Sequence, residues 1–170
     1  FSLVEHGAYT DLYDPAELPH TKYPPVFPGL LAMVLLLGAR TWSALKTVSA
    51  VFTVAAIGFT YLWAERRLGA GGALGLSVVL AISPALVYYS HWILSDPIFL
   101  TFTMAALWAL ERAEREGASV WWLVGGVTAV ALAYFTRSAG LPLLLALLGW
   151  LALRRRWLPL GFSSVAIGVP

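Results

Sequence analysis

Apolar residues gather in six runs along the chain, at roughly residues 26–39, 44–64, 70–90, 97–110, 120–136 and 139–153. A helix that crosses a bilayer needs about 20 apolar residues, with a lower limit near 17. Four of the runs are adequate or close to it, and the run after Asp96 is near the limit. The first run is short and begins among three prolines and a glycine. It predicts a re-entrant or interfacial helix in place of a span. The pattern as a whole predicts an all-α, polytopic transmembrane helix bundle, with about five spans by that length criterion and the interfacial helix after an external loop.

That loop is the polar, Pro- and Tyr-rich stretch 1–25, which carries Glu5, His6, Asp11, Asp14, Glu17, His20 and Lys22. With four prolines it reads as an ordered loop or short surface helices. Residues 26–170 form the transmembrane domain. The chain starts at Phe1 without a Met and ends at Pro170, inside an apolar run that opens at Trp157. The helical domain is therefore expected to be incomplete at both ends.

Charge sets the topology. Arg66-Arg67 and Arg154-Arg155-Arg156 are the strongest basic clusters, and the positive-inside rule puts both in the cytoplasm. Alternating spans then place the Glu111 to Glu116 cluster inside, and Asp96, Arg137 and the N-terminal loop outside. Seven Lys/Arg fall inside and four outside on this reading. Polar groups far apart in sequence thus converge on one outer face.

Composition agrees. The chain is 59% hydrophobic and 12% charged, against about 45–50% and about 25% in soluble domains. Mean hydropathy is +0.77. Eight Trp and seven Tyr suit rings placed among headgroups. A net charge of +2, with no basic stripe, gives no reason to expect nucleic-acid binding. There is no Cys, which excludes disulfides and thiolate metal sites.

Three places could carry chemistry. Lys22-Tyr23-Pro24-Pro25 joins the loop to the first apolar run. It is either an interfacial anchor, with a snorkelling lysine, or a rigid step that fixes an ammonium at the depth of a lipid phosphate. In His91-Trp92-Ile93-Leu94-Ser95-Asp96-Pro97, Asp96 reads as an N-cap with Pro97 at the first helical position. The same carboxylate at the membrane edge could also meet a divalent cation or an acceptor hydroxyl. His91 alone reads as an interfacial aromatic. Arg137, in Thr136-Arg137-Ser138-Ala139-Gly140, sits between two apolar runs with almost no loop. A charge held at mid-membrane costs about 2.5–3.5 kcal/mol, so Arg137 must reach the interface or a polar cavity. There it is either a turn residue or a phosphate ligand, since a guanidinium offers phosphate a planar fork. The Gly71-Gly72 and Gly125-Gly126 pairs read as close helix contacts. The 111–116 cluster reads as a solvated helix end.

Taken in succession, Glu5-His6-Gly7-Ala8-Tyr9 and Lys22-Tyr23-Pro24-Pro25-Val26-Phe27-Pro28 resemble the first external loop of family C (GT-C) membrane glycosyltransferases. The nearest branch holds protein O-mannosyltransferases and lipid A aminoarabinose transferases. Ser83-Pro84, Tyr88-Tyr89-Ser90 and Leu94-Ser95-Asp96-Pro97 resemble that branch's next external acidic site, and Thr136-Arg137-Ser138-Ala139-Gly140-Leu141 is similar to its Thr-Arg/Lys step. Each motif is short, and the specificity lies in their order.

The resemblance implies a transferase that moves a sugar from a polyprenyl-phosphate carrier to an acceptor hydroxyl at the outer face of the plasma membrane. It implies Lys22, Tyr23 and Arg137 near the carrier phosphate, and Asp96 as a second acidic site near the acceptor or a divalent cation (Mg or Mn). The family's general base lies early in the external loop, a position expected to fall before Phe1. This chain is therefore expected to be inactive alone. Ser138 stands where many relatives carry Pro or Gly. A transporter or channel with Asp96 and Arg137 lining a pathway is the alternative, and a purely structural membrane subunit is a third. Transport predicts the two charges near the midplane, whereas transfer predicts both at one edge.

Overall fold

The computed structural model describes residues 24–115 and 119–153. They form helices, turns and short connections, with no strand among the described residues. In chain order the helices are α1 (Val26–Leu36), α2 (Trp42–Ala81), α3 (Pro84–Ser90), α4 (Asp96–Arg115), α5 (Val120–Thr136) and α6 (Leu141–Leu153). A 3-10 turn, Ser138–Gly140, leads into α6.

The first apolar run gives α1, of 11 residues. At 1.5 Å per residue that is about 16 Å, half of what a span needs. The chain then turns through Gly38, at φ 88. Thr41 starts α2, its Oγ1 accepting from the Ala44 N–H at 3.2 Å, as an N-cap hydroxyl does. Among the described residues α2 is the one helix long and apolar enough to cross a membrane. Shorter apolar helices occupy Val26–Leu36, Val120–Thr136 and Ser138–Leu153.

The charges at 65–67 predict an interruption there, but the helix runs through them and bends at Gly69, with φ 72 and ψ 170. Charged side chains can leave a helix surface without disturbing its backbone. A reversal needs a backbone angle that glycine alone adopts cheaply. The second limb comes back toward the start of the first, because Leu86 and Tyr89 of α3 line one pocket with Thr53 and Asp96. The predicted run 70–90 is likewise divided. Pro84 cannot continue a helix and opens α3 instead.

Helix α4 lies between the first limb of α2 and α5. On α2, Ser49, Thr53, Ala56, Thr60 and Ala64 are buried, spaced three or four apart so that they form one face. The Thr53 and Thr60 hydroxyls donate to Ser49 O and Ala56 O at 2.8 Å, so their burial leaves no donor unpaired. Ser49 Oγ reaches Leu94 O at 3.4 Å, and Thr101 Oγ1 reaches Phe52 O at 2.6 Å. These contacts set the limb and α4 side by side, running the same way. Across the α4–α5 seam, a Cβ on Gly126 would lie 2.6 Å from the Leu110 side chain, so the helices meet over a residue without one. Ala106, Ala113, Leu123, Ala129 and Val130 complete this core with Leu147 and Leu151 of α6.

The bundle has two polar ends. At one, Glu111 takes Arg67 at 3.2 Å and Arg115 at 2.9 Å, while the Arg112 guanidinium lies 5.0 and 4.8 Å from the Trp108 and Trp122 rings. At the other, some 22 Å along α4 at 1.5 Å per residue, lie Asp96 and Arg137. The charge pattern predicts this sorting of 66–67 with 111–116, and of Asp96 with Arg137. The end at Glu111–Arg115 is more than a solvated surface, because Glu111 keeps only 10% of its side-chain area exposed.

Candidate active site at one end of the bundle

The site is assembled from two helix termini. The Ser95 carbonyl accepts the Phe99 N–H at 2.9 Å, so α4 starts one residue earlier than the Asp-Pro pattern predicts. Asp96 is the first helical residue and Pro97 the second. Pro97 still costs nothing there, since its missing N–H falls among the unpaired first turn. The Asp96 carboxylate sits at the positive end of the helix dipole.

Arg137 arrives from the end of α5. Its backbone is extended (φ −157, ψ 135), which stops the helix at Thr136. Its own N–H still donates to Ala133 O at 3.0 Å. The 3-10 turn then folds back, and the Gly140 N–H donates to Arg137 O at 2.9 Å. A Cβ on the buried Gly140 would stand 2.7 Å from Tyr134 Cα and 2.8 Å from Tyr134 N. The turn therefore packs directly on the backbone of α5. So held, Arg137 Nη1 pairs with Asp96 Oδ1. The side chains are 43% and 33% exposed, so the pair is open to solvent on one side.

The sequence places Asp96 and Arg137 on the same face; the structure brings them into contact. They do face each other, as a transport pathway would require. They lie at helix ends, however, as a site at one membrane edge would require. Arg137 is not wholly consumed by this pair. A guanidinium carries five donors, and a second anion can bind beside Asp96.

Next to the carboxylate lies a pocket of about 210 Å³, lined by Thr53, Leu86, Tyr89, Asp96, Pro97, Phe99 and Leu100. Tyr89 belongs to a row of rings on α3 and just beyond it. Tyr88 and Tyr89 meet at 5.9 Å, and Tyr88 and Trp92 at 5.8 Å between centroids. His91 is bonded locally, with Nδ1 2.7 Å from Val87 O. Neither Tyr89 nor Thr53 stands out in the chain as a site residue of its own. The Tyr-Tyr pair seven residues before Asp96 was the available signal for the first, and nothing marks the second.

Lys22 and Tyr23 lie outside the described residues, as do Glu5, His6 and His20. Among the described residues no group of three or more His, Cys, Asp or Glu assembles to hold a metal. A divalent cation wants several oxygen ligands, and Asp96 offers one carboxylate already facing a guanidinium. Among the described residues Asp96 alone does not supply such a set. Of the glycine pairs, Gly126 makes a close contact with a neighbouring helix, Gly72 meets only Leu68 four residues before it in α2, and a Cβ on Gly71 or Gly125 would meet nothing within 4 Å.

Residues 22–168 match the family model described as dolichyl-phosphate-mannose-protein mannosyltransferase. Searches of curated proteins and of solved structures returned no match.

Proposed function

Because the chain belongs to the dolichyl-phosphate-mannose-protein mannosyltransferase family, we propose that its Asp96–Arg137 end is the transfer site of a membrane glycosyltransferase that takes a sugar from a polyprenyl-phosphate carrier. The observation that carries this reading is the ion pair itself. It unites an acidic residue and a cation from separate helix ends, beside a pocket, and the pair is partly open to solvent. In this reading the bundle crosses the plasma membrane several times, α1 lies at its edge, and the 1–25 segment is on the external side.

In this reading an acceptor hydroxyl attacks the anomeric carbon. The new carbon–oxygen bond forms as the bond to the carrier phosphate breaks, the phosphate departs with the electron pair, and the hydroxyl's proton ends on the departing phosphate. Arg137 bridges Asp96 and that phosphate, Lys22 supplies a second cation, and the Tyr23 hydroxyl a further donor. Fixed positive charge aimed at the departing oxygen stabilises the transition state more than the ground state. Asp96, acceptor-only when ionised, receives and orients a substrate hydroxyl. Positioning of the two reactants supplies the rest.

Two measurements test this. Sugar transfer from a polyprenyl-phosphate donor by the full-length protein in membranes should fall about tenfold or more in Lys22→Ala, the scale of a lost phosphate contact. An unchanged rate removes Lys22 from the carrier site, and the failure of every lipid-phosphate sugar as donor overturns the function. Sidedness is directly readable because the chain has no cysteine. A membrane-impermeant maleimide should label Ser138→Cys from outside intact cells and leave Glu114→Cys unlabelled, both positions being exposed. The reverse pattern would invert the topology and place the site inside.

A further inference from the structure

We propose that the groove between the first limb of α2, α4 and α5 binds one anionic phospholipid of the leaflet opposite the transfer site, its phosphate held by Arg67 and Arg115. The inference is independent of the transfer reading, because it concerns the other end of the bundle. Two guanidiniums converge there on one carboxylate. Arg67 donates from Nε and Nη2 to Glu111 Oε2 at 3.4 and 3.2 Å, and Arg115 Nη2 meets Oε1 at 2.9 Å. Glu111 keeps 10% of its side-chain exposure, while the two arginines keep 50% and 54%. The acid therefore acts as a spacer that presents two cations side by side at the surface. Two cations on one anion leave the trio positive. Each guanidinium has five donors, more than a shared carboxylate can occupy. Arg67 is also steadied by the Trp63 ring, whose centroid is 4.6 Å from its Cζ. A phosphate would meet donors that are already ordered, which lowers the entropy lost on binding.

The same helix face continues this site into the hydrocarbon. Phe52, Ala55, Phe59, Trp63 and Arg67 recur every three or four residues along α2, so they share one face. Phe52, Ala55 and Phe59 wall a groove of about 550 Å³, with Ala105 of α4 as its floor and Gly125 and Ala129 of α5 opposite. Its lining offers a ligand little that is polar. Two threonines take part, and the Thr101 hydroxyl is already turned to Phe52 O and Pro97 O. Phe59, Trp108 and Trp122 form a row of rings toward the Arg67 end, at 5.6 and 5.0 Å between centroids. Aromatic rings with cations just beyond them suit a headgroup boundary. From Phe52 to Arg67 is about 22 Å at 1.5 Å per residue. One leaflet with its headgroups is about 20–22 Å, half of the bilayer. An acyl chain lying in the groove thus brings its phosphate to Arg67 and Arg115. The polyprenyl carrier fits less well, since its phosphate belongs at the opposite edge in the transfer reading. A zwitterionic headgroup would add an ammonium beside the guanidiniums and lose part of the attraction, so the lipid is anionic.

The test uses the purified full-length protein and native mass spectrometry, which reads the lipids that stay bound. The probes are phosphatidylglycerol and phosphatidylcholine with the same acyl chains. The unaltered protein should retain phosphatidylglycerol about tenfold better, the scale of one charge-assisted contact. Arg67→Gln with Arg115→Gln should erase that preference and leave weak, equal retention of both lipids. Gly125→Leu should abolish retention of both by filling the groove. A Cβ at Gly125 meets nothing within 4 Å, so the change crowds the ligand and spares the fold. Gly58 is equally open but takes no part in the groove, and Gly58→Leu should retain lipid as the unaltered protein does. Equal retention of the two lipids by the unaltered protein overturns the proposal. Undiminished phosphatidylglycerol in both the arginine and the Gly125 variants does so too. Retention lost with the arginines but kept in Gly125→Leu leaves a headgroup contact alone, and the groove site falls. If inorganic phosphate at equal concentration displaces phosphatidylglycerol, the site takes a soluble anion and the proposal fails. Displacement by farnesyl phosphate would give the groove to the carrier and overturn it equally. None of these readouts depends on sugar transfer, so the transfer reading stands or falls separately.

Discussion

Asp96→Asn is expected to lower sugar transfer by about a hundredfold or more while the protein stays folded, the range seen when one charge-stabilising group is lost from an active site. The side chain keeps its shape and loses its charge, so Arg137 faces a neutral amide. Both members of the pair are more than a third or close to a third exposed. An exposed pair contributes only about 0–1 kcal/mol to stability, and a small melting change should accompany a large loss of rate. Initial rates and thermal unfolding, measured on the same membrane preparations, check the two halves. The double exchange Asp96→Arg with Arg137→Asp separates fastening from chemistry. If the pair only clips α4 to α5, the exchange restores the clip and with it activity. If Asp96 receives a substrate hydroxyl and Arg137 a phosphate, the exchanged protein folds and remains inactive. Wild-type rates in Asp96→Asn, or recovery in the exchange, would remove Asp96 from the reaction.

The second large effect is at Gly140, and it acts through the fold. A methyl group there meets the Tyr134 Cα at 2.7 Å, the Tyr134 N at 2.8 Å and the Ala133 carbonyl carbon at 3.0 Å. These are backbone atoms of α5, which cannot rotate aside. Gly140→Ala should therefore cost about 1–3 kcal/mol, as overpacking does, and Gly140→Val more. Because Gly140 closes the turn that aims Arg137, transfer should fall further than stability alone explains. Gly149→Ala is the control, since a Cβ there meets nothing within 4 Å. It should unfold at the same temperature as the parent or slightly above it. Thermal denaturation in detergent followed by size exclusion gives both values. Equal stability of Gly140→Val and the parent would show that the turn can open without loss.

Much of this was legible from the pattern of apolar and charged positions. The all-helical class, the shortness of the first helix and the sorting of charges to two ends follow from run lengths and alternation. They need no knowledge of contacts. The limits of legibility are equally physical. Charge marks the end of an apolar run and so points to a turn of α2 at Glu65-Arg66-Arg67, but a helix ends only where its backbone changes, and that is Gly69. Ser83-Pro84 divides the 70–90 run for the same reason. Of the site, Asp96 and Arg137 were visible as isolated charges among apolar neighbours. Tyr89 and Thr53 were not, because a tyrosine near a membrane edge and a threonine on a buried helix face each have a sufficient local explanation. Their meeting depends on the return of the second limb, which no local spacing reports.

The two fastenings of the α4–α5 pair bear on how such a chain enters a bilayer. Asp96 and Arg137 neutralise each other across one end of this hairpin. At the other, Arg112 lies against Trp108 of its own helix and Trp122 of the next, and Arg115 pairs with Glu111. The hairpin thus carries its own counter-ions and aromatic shields. Inserted as two separate helices, each segment would bring unneutralised charge to the lipid boundary. Brought to the lipid boundary together, the segments present these charges already paired or shielded.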